Sequence, residues 1–174
     1  MKTVFFLAAI CTALYSCRQG QTVSRPAPAE YMVFSDSIKG DFDGDRKPEY
    51  LWVKTIPDSI PVDSCTILCS NSSIPPFRFQ AMGCSLSNEG DLDNNRADEV
   101  TVNSWAEGAW GVITVYAFRK GKWIETIERF SVYGPDGHTD YVKKGPGKGE
   151  ATIIRETWGQ HGEFAVETKT VKLK

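Results

Sequence analysis

The sequence predicts an all-β fold, a compact antiparallel assembly of three β units, and three observations carry that prediction. Short runs rich in Val, Ile, Thr and aromatic residues recur along the chain, separated by Gly, Pro, Asn or Asp. No stretch keeps a helical apolar spacing over several turns. A loop-and-strand pattern at Gly40–Val53 returns at Gly90–Val102, the mark of stacked units of one kind.

Taken in order, the expected strands are Tyr31–Phe34, Tyr50–Thr55, Cys65–Ser70, Phe77–Ala81, Glu99–Trp105, Val112–Arg119, Lys122–Val132, Ala151–Glu156 and Phe164–Leu173. Val112–Phe118 is apolar on both faces, with Val112, Tyr116 and Phe118 on one and Ile113, Val115 and Ala117 on the other. That pattern predicts a central strand covered on both sides. Arg119-Lys120-Gly121-Lys122 joins two long runs as a tight hairpin. A third unit is expected from about Val132, with Tyr133–His138 standing where its loop belongs but without the alternating oxygens of the other two. Three units are too few to close a propeller, so the expected form is a propeller fragment or a β-sandwich.

The two loops carry the chemistry. GDFDGDRKPEYLWV places Asp41, Asp43, Asp45 and Glu49 in the same register as Asp91, Asp93, Asn95 and Glu99 of GDLDNNRADEVTV. Oxygen-bearing side chains at two-residue steps cannot all point inward onto one centre from a strand, where they are spread along one face, or from a helix, where they diverge. They can from a tight loop around a hard cation, with the backbone carbonyl of Lys47 or Ala97 as a further ligand. The pattern resembles the calcium loop of FG-GAP repeats, found in integrin α-subunit propellers and in bacterial secreted proteins. The resemblance implies calcium as the cofactor and those eight side chains as its ligands. The chain departs from that family at Arg46 and Arg96, where a glycine of positive φ is usual, and in closing each loop with Glu rather than Asp. An EF-hand is excluded, because the twelfth loop position is Trp52 in one copy and Val102 in the other.

With 41% hydrophobic and 24% charged residues, the 174-residue chain has the composition of an ordinary globular protein. Its net charge of −2, with Lys and Arg scattered, argues against nucleic acid as a partner. Residues 1–16 read as a signal peptide, since the apolar run Val4–Leu14 is too short for a membrane helix. Leu14-Tyr15-Ser16-Cys17 resembles the lipobox of bacterial lipoproteins, of the Bacteroides-like kind, which implies lipidation at Cys17. By the same resemblance, Arg18 rather than Asp after that cysteine implies sorting to the outer membrane, and with no acidic run following Cys17 the domain is expected to face the periplasm. Residues 17–30, with two prolines and no apolar periodicity, read as a flexible tether, leaving 31–174 as the all-β domain.

Cys65, Cys69 and Cys84 remain after the anchor. Cys65 and Cys69 lie about 13 Å apart along one strand, too far to bridge. A Cys65–Cys84 disulfide and three free thiols are the two alternatives. His138 and His161 fall in Gly-rich turns without a nucleophile motif, so an envelope hydrolase built on them and nearby carboxylates is the rival reading; none is expected to be catalytic. Trp105 and Trp110, flanking a Gly/Ala loop, are candidates for an aromatic platform toward a protein or glycan partner. The expected role is that of a calcium-stabilised, lipid-anchored binding or scaffold module.

Overall fold

The computed structural model describes residues 37–59, 62–105, 110–133, 140–158 and 163–174. The signal segment, Cys17, the tether and the expected strand Tyr31–Phe34 lie outside them. The described residues form three antiparallel sheets, each a simple meander. The first contains β1 (Ile38–Gly40), β2 (Glu49–Ser59), β3 (Val62–Cys69) and β4 (Phe77–Ala81). The second contains β5 (Cys84–Gly90), β6 (Glu99–Trp105), β7 (Trp110–Arg119) and β8 (Lys122–Tyr133). The third contains β9 (Val142–Lys144), β10 (Glu150–Trp158) and β11 (Phe164–Lys172).

The sheets stack face to face with the second in the middle, and apolar side chains decide this order. Leu51, Val53, Cys65 and Ile67 of the first sheet bury against Leu86, Val100 and Val102 of the second. The opposite face of the second sheet presents Ile113, Val115, Ile127 and Val132 to Val142, Ala151 and Ile153 of the third. Strand β7 serves both cores: Tyr116 and Phe118 pack into the first, Ile113 and Val115 into the second. The two-sided apolar pattern of Val112–Phe118 is thus the signature of the middle sheet. Lys120 and Gly121 close the β7–β8 hairpin with φ of 51° and 76°, the doubly positive turn whose twist suits paired strands.

Three strands were not expected, β1, β5 and β9, and all three open their sheets. They lie beside one another, β5 against both β1 and β9. Each is short or polar: β1 and β9 have three residues apiece, and β5 reads CSLSNEG with Leu86 its one buried side chain. An innermost strand packs along its neighbours' edges rather than across a broad face, so it needs little apolar alternation. Each sheet therefore has one strand more than the sequence pattern displays.

The third unit's loop also needs correction. The turn between the innermost strand and the next is Gly145–Gly149, between β9 and β10, not Tyr133–His138. It is held by Gly145 N donating to Glu150 O at 2.8 Å and Glu150 N donating to Gly147 O at 3.1 Å. Gly-Pro-Gly-Lys-Gly supplies no carboxylate, although Glu150 begins β10 as Glu49 begins β2 and Glu99 begins β6.

Candidate metal centre

Both acidic loops sit in the same place, between the innermost strand of a sheet and the strand that follows. The second residue of each loop turns inward. Phe42 is fully buried in the first core and Leu92 in the second. With that residue pinned, the aspartates on either side face the opposite way. Asp41, Asp43 and Glu49 bring a carboxylate oxygen each within 4.8 Å of one another, and Asp91, Asp93 and Glu99 do the same. The expected ligands thus gather as two triads. Asp45 stays outside the first, accepting from Lys47 N at 2.7 Å and facing Lys47 Nζ at 3.5 Å. Asn95 accepts from Ala97 N at 2.7 Å and donates to Asp93 at 3.0 Å, bracing the loop.

Backbone amides shape each loop around its first aspartate. Asp41 accepts from Gly44 N and Arg46 N, both at 2.8 Å, and Asp91 accepts from Asn95 N at 2.9 Å and Arg96 N at 3.0 Å. Such wrapping requires positive φ at two points per loop. Gly44 (78°) and Arg46 (70°) supply it in the first, Asn94 (61°) and Arg96 (83°) in the second. The arginines thus adopt the left-handed conformation that glycine would take more cheaply.

The closing glutamates are buried. Glu49 Oε2 accepts from Phe42 N at 2.9 Å, and Glu99 Oε2 from Leu92 N at 2.7 Å. Burial raises the Glu49 carboxyl above its ordinary range; the Phe42 amide opposes this, and the loop aspartates push it up further. Burial likewise pushes Glu99 up to about 7, against the Leu92 amide and Arg119, with Asp93 adding to the rise. Both triads are thus crowded with negative charge that the surrounding protein solvates poorly. All their donor atoms are hard oxygens, the set that suits calcium, or magnesium with more water.

Sequence spacing hid several neighbours of the triads. Asn71, in the turn after β3, donates to Asp43 Oδ2 at 2.9 Å. Arg119, the last residue of β7, contacts Asp93 Oδ2 at 2.5 Å and Glu99 Oε1 at 3.4 Å. Lys144 of β9 donates to Asp91 O and Asn94 Oδ1, both at 2.7 Å. The loops also touch each other, since Asp98 N donates to Asp41 O at 2.7 Å while Asp98 Oδ2 accepts from Asp41 N at 3.0 Å. Gly40 lies under this junction with no room for a side chain: a Cβ would stand 2.5 Å from Asn88 Nδ2 and 2.7 Å from Asp98 Oδ2.

The remaining candidates do not gather. Trp105 is exposed with its ring over Gly83, and Trp110 packs edge-on against Tyr133. Trp105 pairs with Gly111, so strand alternation sends the adjacent Trp110 to the other face, and the two form no common platform. Cys65, Cys69 and Cys84 are free thiols. Cys84 meets Cys65 across the first core as expected for the bridge, but as a hydrogen-bonded thiol pair. That hydrogen bond, followed by burial, raises the Cys84 thiol, so it is held protonated. Cys69 lies near the first triad; burial chiefly raises its thiol, opposed by the Asn71 amide and assisted by Glu49 and Asp43. His138 and His161 lie outside the described residues, as does the 106–109 segment between the tryptophans. Comparison of the chain with protein families, curated proteins and solved structures finds no match.

Proposed function

We propose that the chain is a lipid-anchored protein of the bacterial envelope whose all-β domain acts as a binding or scaffold module stabilised by two calcium ions. The observation that supports the metal is the recurrence of one carboxylate triad at the same point of two successive sheets, each seated on a buried apolar residue. After the backbone hydrogen bond to Oε2, Glu49 Oε1 is open to a metal in the first loop and Glu99 Oε1 faces Arg119 in the second, and the Lys47 or Ala97 carbonyl is the proposed backbone ligand. Calcium would neutralise carboxylates that otherwise repel, and so would stiffen the turn that fixes the innermost strand to its sheet.

Calorimetric titration and melting scans, with chelator and with calcium, test the reading. Extracellular calcium modules bind at about 10⁻⁴–10⁻³ M, so a few millimolar should add on the order of 1–2 kcal/mol per site. A melting temperature indifferent to calcium, in protein verified to be metal-free, refutes it. The anchor is tested separately: a fatty-acid analogue should label the wild type and spare Cys17→Ser, and equal labelling would refute lipidation at that cysteine.

A further inference from the structure

The two loops are alike in sequence but not in what faces them. In the first, the side chain reaching Asp43 from the turn after β3 is the neutral amide of Asn71. Among the described residues, no Lys or Arg is ion-paired with Asp41, Asp43 or Glu49. In the second, the end of β7 supplies Arg119, whose guanidinium stands against two members of the triad. It meets the oxygens that the backbone leaves open. Glu99 Oε2 is taken by Leu92 N and Asp93 Oδ1 by Asn95 N, while Arg119 faces Glu99 Oε1 and Asp93 Oδ2. Arg119 Nε is buried without a hydrogen-bond partner, so the side chain is not seated for a full set of its own hydrogen bonds. Lys144 adds a second cation at the rim of this loop.

We propose that Arg119 is a built-in cation of the second loop, holding it closed when no metal is bound, so that calcium enters there only by displacing the guanidinium. The inference rests on the calcium reading above. Two consequences follow. The first loop fills at lower calcium concentration than the second, and the metal-free second loop is the better ordered of the two. The protein then responds to calcium in two stages, the later one releasing Arg119 from Asp93 and Glu99.

The test uses the full chain carrying Asp43→Asn, which weakens the first loop and leaves the second to be read by calcium titration. Adding Arg119→Gln should tighten calcium binding at the second loop by at least about tenfold, since one neighbouring positive charge is removed from a half-buried site. The same change should lower the metal-free melting temperature and enlarge the calcium-induced rise. If Arg119→Gln does not fold without metal, Arg119→Lys carries the comparison, keeping the charge on a different head and giving a smaller gain in affinity. Unchanged or weaker calcium binding on loss of Arg119, with the first loop of Asp91→Ala binding normally, overturns the inference alone. Absence of binding in every variant, Asp91→Ala included, overturns the calcium reading and the inference with it.

Discussion

Replacing Glu49 by Gln separates two roles that the side chain combines. Its Oε2 accepts from Phe42 N at 2.9 Å, and its charge sits in a triad whose oxygens lie within 4.8 Å. Glutamine keeps an acceptor for the Phe42 amide and removes the charge. At that separation two unit charges repel by about 3 kcal/mol at an effective dielectric constant near 20. Asp41 and Asp43 are only half-buried, and solvent screens most of this, leaving about 1 kcal/mol of relief. The metal-free variant should therefore melt higher than the wild type by about 4 °C, while its calcium-induced rise shrinks. Glu49→Leu gives the control: it removes the acceptor as well and should cost about 1–3 kcal/mol for the stranded amide. Scanning calorimetry in chelator and in millimolar calcium reads both variants. If Glu49→Gln melts lower in chelator and keeps its full calcium response, charge crowding is not what the metal relieves.

Three further outcomes are expected. Phe42→Ala empties a fully buried site beneath the first loop and should cost about 3–5 kcal/mol in denaturant unfolding, with a weaker calcium response. Gly40→Ala drives a methyl group into Asn88 and Asp98 and should cost about 1–3 kcal/mol by the same measurement, although its backbone conformation is ordinary. The third concerns pH. With Glu99 raised from 4.5 to about 7, the folded metal-free chain holds the proton more tightly than the unfolded chain. Its contribution to stability is therefore fully present below about pH 4.5 and is lost as pH rises through about 7. Glu99→Gln should flatten that segment of the stability–pH curve, and calcium affinity at the second loop should fall as pH drops below 7 in the wild type.

The strands that were legible in the sequence are those that cover a core. Val112–Phe118 announced the middle sheet because both its faces must meet apolar neighbours, and Phe77–Ala81 and Glu99–Trp105 lie where their alternation and flanking turns place them. The innermost strands were illegible for the converse reason: Ile38–Gly40 and Val142–Lys144 are too short for a pattern, and Cys84–Gly90 buries too little. Overlooking Val142–Lys144 displaced the third loop to Tyr133–His138. The triads were legible because their members share one loop; Asp45 fell outside because it turns to Lys47 instead. Asn71 and Arg119 were hidden by the hairpins that bring them back, yet the repeat contained the clue. Both lie at the end of the second strand after a loop, Asn71 just past β3 and Arg119 as the last residue of β7, 28 residues beyond Asp43 and 26 beyond Asp93.

The reciprocal hydrogen bonds of Asp98 with Asp41 clasp two sheets together, one running main chain to main chain and the other from the Asp41 amide to the Asp98 carboxylate. Arrays of stacked units can fray unit by unit from their ends, because each unit contacts only its neighbours. Here the first seam is clasped at its loops by that pair of bonds, whereas the second is spanned at the corresponding place by the long side chain of Lys144, with a main-chain bond from Lys174 N to Thr126 O at the C-terminal end. Amide exchange should therefore spread inward from β11, with the first two sheets opening together as one foldon.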